Sequence, residues 1–156
     1  MELIDLNFYP NIGLGNISFY FQENDILQVM GSPEKRMIYS YSEKESAICL
    51  FYNKLGISFW IHYEDNLFNH LSISIEDIIL DGMKFSLLSK QGILEFVRNY
   101  HYQCGYDYLY ENTYNENVNE EFYYFENIGL SIWFEEDYIS DISIKMSSNF
   151  IMGHMN

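Results

Sequence analysis

One stretch of this chain is written twice, and that repetition limits the fold more than any other feature. Leu55-Gly56-Ile57-Ser58-Phe59-Trp60-Ile61 returns 73 residues later as Ile128-Gly129-Leu130-Ser131-Ile132-Trp133-Phe134. An aromatic pair precedes each copy (Phe51-Tyr52 and Tyr124-Phe125), and a short Ser-centred apolar run follows each (Leu71-Ser72-Ile73 and Ile142-Ser143-Ile144). Upstream, Gly15 to Met30 aligns with Gly82 to Val97 at an offset of 67, placing Ile26-Leu27 over Ile93-Leu94. Recurrence of a whole supersecondary unit sets the architecture, because each copy must bury its apolar face against a neighbour. The expected fold class is α+β: two tandem helix-plus-antiparallel-meander units, about 11–75 and about 78–146, with the sheet covered on one face by helices. Together they make a single domain of 156 residues, a length that suits one core.

Local signals fill in the unit. Residues 2–9 alternate and predict a first strand, ended by Pro10 and the glycines at 13 and 15. A helix over Glu23 to Met30 turns Ile26, Leu27, Val29 and Met30 inward, with Gly31 placed to cap it and Pro33 to stop it. Strands at 36–42 and 47–53 form a hairpin around Ser42-Glu43-Lys44-Glu45, and 56–63 and 67–75 complete the meander. In the second unit Ser89 caps a helix to about Tyr100 with Ile93, Leu94, Phe96 and Val97 inward. Residues 103–120, rich in Asn, Glu and Tyr, read as a polar excursion that replaces the first hairpin. Strands at 121–127, 129–135 and 138–145 close the unit, and Met146 to Asn156 reads as a frayed tail.

Gly56 and Gly129 each follow a turn, where a positive φ favours glycine. Beyond them the period-two alternation puts Ile57, Phe59 and Ile61 on one face and Ser58, Trp60 and His62 on the other. The second copy does the same with Leu130, Ile132 and Phe134 against Ser131, Trp133 and Glu135. If the helices cover the aliphatic row, both tryptophans stand on an open sheet face suited to binding. If they cover the other row, the tryptophans are core.

Charge narrows the partners. The chain carries 23 acids against 8 bases, for a net charge of −15, a field that repels nucleic acid and anionic membrane and attracts basic proteins. No Lys or Arg occurs between Arg98 and Lys145, a span that contains Asp107, Glu111, Glu116, Glu120, Glu121, Glu126, Glu135, Glu136, Asp137 and Asp141. Two cysteines, Cys49 in an apolar run and Cys104 beside Gly105, make no disulfide framework. Acids at Glu2 and Asp5 do not suit a signal peptide, so the expected location is the cytoplasm.

Catalytic and cofactor signatures do not emerge. Gly13-Leu14-Gly15 lacks the third glycine of a phosphate-binding loop. His62 and His70 flank a turn near Glu64 and Asp65, a group with metal-binding chemistry but also an ordinary polar surface. The acids at Glu135-Glu136-Asp137 belong in a hairpin turn. The expectation is a non-enzyme with no cofactor and no metal.

The repeated strands, Leu55 to Trp60 and Ile128 to Phe134, together with Val29-Met30-Gly31-Ser32-Pro33, resemble the tandem-repeat fold of β-lactamase inhibitor proteins. In its acidity the chain looks most like immunity proteins of this fold, which stand beside bacterial toxins. The resemblance runs from Gly15 to Ile144 and lacks the disulfides of the secreted inhibitors. It implies a stoichiometric inhibitor, a monomer in a 1:1 complex with a cognate toxin domain. Basic toxins such as nucleases fit the charge best. The candidate partner-binding residues are Trp60, Trp133, Tyr108, Tyr110, Glu111, Tyr114, Glu116, Glu120, Glu121, Glu135, Glu136 and Asp137. Two other readings stay open: an interaction module of a larger bacterial assembly, and a small-ligand or metal-binding protein using the groove between the units.

Overall fold

The computed structural model describes residues 4–64, 70–103, 111–117 (backbone only) and 120–147. The chain runs β1 (Asn7–Tyr9), β2 (Gly13–Leu14), β3 (Ile17–Ser18), α1 (Glu23–Met30), β4 (Lys35–Ser40), β5 (Glu45–Tyr52), β6 (Ile57–Glu64) and β7 (His70–Ile75). It continues through β8 (Ile79–Leu80), β9 (Met83–Lys84), α2 (Lys90–Gln103), β10 (Glu111–Asn117), β11 (Glu120–Phe125), β12 (Leu130–Glu135) and β13 (Tyr138–Lys145). The class is α+β, and the described residues form two helices and two open sheets in which antiparallel pairing predominates.

The larger sheet has eight strands in the order β10-β11-β12-β13-β7-β6-β5-β4. Each half is a four-stranded antiparallel meander, and the halves meet where β13 pairs with β7, Ile144 opposite Ile73 and Ser143 opposite Ser74. That junction hides one edge of each meander, leaving β4 and β10 as the sheet's edges. The repeated glycines explain why both meanders turn alike. Gly56 (φ 66°) and Gly129 (φ 63°) each end a 3-10 turn in the left-handed region, with N–H donated to the Asn53 and Glu126 carbonyls respectively.

The smaller sheet, β3-β2-β1-β8-β9, is absent from the sequence reading. Its β1 lies parallel to β8, Phe8 opposite Leu80, so a segment before the first meander pairs with one after it. Other elements differ from the sequence expectation as well. The first strand shortens to Asn7–Tyr9. The stretch read as a polar excursion contains β10, which pairs along β11, Thr113 opposite Tyr123, so the second meander keeps its hairpin. Met146 and Ser147 are buried rather than frayed, and the Ser147 N–H donates to Asn11 Oδ1 at 2.7 Å; the rest of that tail lies outside the described residues.

α1 begins with a reciprocal cap between Gln22 and Asp25 and ends at Gly31, whose N–H bonds the Leu27 carbonyl. Ile26 is fully buried, but Val29 is exposed, because eight residues give a single inward row. In α2, Ser89 Oγ accepts from the Gly92 N–H, and Ile93, Leu94, Val97 and His101 are buried. One continuous core cluster contains Ile26, Ile93, Leu94 and Val97 together with Ile57, Phe59, Ile61, Leu130, Ile132 and Phe134. Burial of this many Ile and Phe side chains, at about 1.5–3 kcal/mol each, is the main driving force for assembly. Polar ties add geometry: Arg36 on β4 reaches Glu23 of α1, Tyr52 on β5 donates to the Gly31 carbonyl at 2.7 Å, and Lys90 of α2 pairs with Glu121 on β11.

Candidate protein-interaction face

The two rows of the repeated strands differ in burial. Ile57, Phe59 and Ile61 are 3% exposed or less, while Trp60 is half-buried and Trp133 is 37% exposed. The tryptophan row therefore lies on the side away from the main core. Cross-strand register then names the neighbours, since directly opposed residues share a face.

At the β4–β7 end the face is packed. Trp60 stacks on Tyr39 (centroids 5.4 Å, 21° between planes), meets Phe51 edge-on at 6.0 Å, and donates Nε1–H to Ser58 Oγ at 3.1 Å. Opposite Trp60, Cys49 is fully buried outside the main core cluster, and burial pushes its thiol up to about 12. A thiol so rarely ionised is a poor nucleophile or metal ligand. His62 faces His70 across the β6–β7 ladder, rings stacked at 4.9 Å, with His62 Nε2 2.9 Å from Ser72 Oγ. Burial, then the His70 and Lys145 charges, depress His62 to about 4. Among the described residues no three metal-ligating side chains converge there.

In the middle, Ser58, Ser74, Ser143 and Ser131 form one register row across β6, β7, β13 and β12. This row of small hydroxyls separates two aromatic groups and is half-buried at Ser58, Ser74 and Ser143 and buried at Ser131. On its far side Trp133 leans on Phe122 (4.5 Å, 41°) and stands directly opposite Asp141, and Lys145 lies over the Tyr124 ring at 5.7 Å. Asp141 accepts from Ser74 Oγ at 2.7 Å, yet its carboxyl sits above the usual range, chiefly because it is desolvated.

The expected partner-binding residues divide accordingly. Trp133, Glu120 and Glu135 share the face away from the main core, and Trp60 lies on it but is clamped by its neighbours. Glu121 belongs to the opposite side: it stands across from Phe134 and is taken up by Lys90, which holds its carboxyl below the usual range. Glu136 and Asp137 form the β12–β13 turn, both at positive φ, and Asp137 also reaches Lys90 at 3.3 Å. Tyr108 and Tyr110 lie outside the described residues, as do the side chains of Glu111, Tyr114 and Glu116. Sequence reasoning missed Tyr39, Phe51, Phe122 and Asp141 as members of this face. For Asp141 the signal was present, because Asp141, Ser143 and Lys145 alternate with Ile142 and Ile144.

A separate cleft of about 660 Å³ opens between the start of α2 and the β12–β13 hairpin, lined by Phe85, Leu88, Ile93, Phe134 and Ile139 with Lys90 among the wall residues. Its ammonium is already shared by Glu121 and Asp137. No described helix is long and apolar enough to cross a membrane. Compared with protein-family models, curated proteins and solved structures, the chain has no significant match.

Proposed function

We propose that this chain is the immunity partner of a bacterial toxin, a stoichiometric inhibitor with no turnover of its own. In this reading it is built from two helix-plus-meander units whose helices cover one sheet face and leave the other to the toxin. The observation that carries the reading is Trp133: a large aromatic, 37% exposed, fixed on an interior strand of an eight-stranded sheet. Rigid, accessible aromatics of this kind lose little entropy on binding and serve as interface anchors. The net charge of −15 supplies the second half of the mechanism. It steers a basic toxin toward the acidic end of the sheet, raising the on-rate, and the aromatic contacts then hold the off-rate down. A nuclease fits best, because a surface that grips phosphates must be basic.

The test is coexpression with the toxin encoded beside this gene, in the cytoplasm where such an inhibitor works. A 1:1 complex and protection of the host are the expected results. Trp133→Ala should speed dissociation by about 30-fold, the range of an interface anchor, with an unchanged circular dichroism spectrum. Absence of protection by the wild-type chain sinks the proposal. A complex whose on-rate ignores salt between 50 and 500 mM sinks the steering part alone.

A further inference from the structure

We propose that Asp141, Ser74, Trp133 and Phe122 form a slot on the open sheet face that takes one arginine side chain of the partner protein. The inference rests on reading that face as the docking surface of an inhibitor, and it adds the chemistry of a single subsite. Asp141 is half-buried on β13, one oxygen fixed by the Ser74 hydroxyl at 2.7 Å. A desolvated carboxylate is stable when a cation completes it, and among the described residues no ion pair reaches Asp141. The nearby bases are committed elsewhere: Lys145 lies over Tyr124, Lys90 bridges Glu121 and Asp137, and Lys84 pairs with Asp77. The charge of Glu76 also acts on Asp141, and it too is negative.

The wall beside this carboxylate selects among cations. Trp133 is directly across the ladder from Asp141, and Phe122 is directly across from Trp133. A guanidinium is planar, offers two parallel N–H groups to a carboxylate, and stacks on an indole face; an ammonium does neither. The Ser74 hydroxyl and the Ile142 N–H hold the carboxylate without neutralising it. The matching position at the other end of the sheet is closed, because Trp60 is covered by Tyr39 and Phe51. Among the described residues the slot is therefore single.

The two tryptophans give two indole N–H signals in a nitrogen-edited NMR spectrum of the full chain. Titration with N-acetyl-arginine amide should shift the Trp133 signal saturably, with a dissociation constant on the order of 1–10 mM for a ligand this size, and leave Trp60 still. N-acetyl-lysine amide should bind at least fivefold more weakly. Asp141→Asn keeps the oxygen that receives the Ser74 bond and should weaken the arginine probe about tenfold. Equal binding of both probes, equal shifts at both indoles, or wild-type titration of Asp141→Asn each overturns the slot. The outcome is separable from that of the inhibitor reading. A captured toxin that binds Asp141→Asn as tightly as wild type removes the slot and leaves the inhibitor. A selective arginine response without protection from the toxin removes the inhibitor and leaves the slot.

Discussion

Trp60 and Trp133 occupy the same place in two copies of one strand, yet their surroundings differ. Trp60 has a stacked tyrosine, an edge-on phenylalanine and a serine acceptor. Trp133 has Phe122 on one side and solvent on another. The first copy uses its indole to close the sheet surface, and the second leaves its indole accessible. The helix starts differ in the same spirit: Glu23 opens α1 and meets Arg36, whereas the aligned Lys90 opens α2 and meets Glu121. A repeated sequence can thus keep its strand pattern and exchange the signs and contacts on it.

The largest effect that would break this comparison is at the glycines. A Cβ on Gly129 would lie 1.8 Å from the Lys145 carbonyl oxygen, and backbone cannot step aside; on Gly56 it would meet the Glu76 carboxylate at 2.8 Å, which can swing away. Gly129→Ala should therefore cost about 3–5 kcal/mol, and Gly56→Ala about 1–2 kcal/mol from left-handed strain alone. Urea midpoints measure both, and equal losses would mean the two turns are more alike than their surroundings suggest. Next in size are the tryptophans themselves. Trp60→Ala should lower stability by about 2–3 kcal/mol, below the full-core range because the ring is half-buried. Trp133→Ala should cost about 1 kcal/mol or less, the lower end for a partly exposed ring. A reversal of that order would make Trp133 the structural member.

The smallest effect is at His62, which has no histidine at the aligned position, Glu135. Its folded pKa, about 4, lies below the ordinary 6.5, so the unfolded chain takes up a proton first as pH falls. The stability it contributes is whole above 6.5 and is lost progressively between 6.5 and 4. Chemical denaturation of wild type and His62→Gln across that window should give a difference that shrinks toward acid. A constant difference would show that His62 titrates normally.

Much of this frame was legible in the chain. Helix α1 and its Gly31 cap, the left-handed glycines and the alternation at 57–61 and 130–134 all follow from local chemistry. The five-stranded sheet was not legible, since strands of two or three residues carry no periodicity and the β1–β8 pairing joins distant segments. β10 was hidden by Asn and Glu, poor strand formers that adopt the ladder because β11 offers one. The Trp133 face was readable as a period, but which face stays open depends on where the helices land. The slot at Asp141 needs the β7–β13 register, a contact spanning 67 residues that no local pattern encodes.

That same register has a consequence for how the protein is made. When the ribosome has delivered β7, the strand that will satisfy its outer edge is still unsynthesised, and β13 follows roughly 70 residues later. At about 5–20 residues per second the gap lasts several seconds. Through that interval the nascent first meander presents Leu71, Ile73 and Ile75 on a strand with one unpaired edge. A neighbouring nascent chain on the same message could fill that edge with its own β13, giving a strand-exchanged pair in place of two monomers.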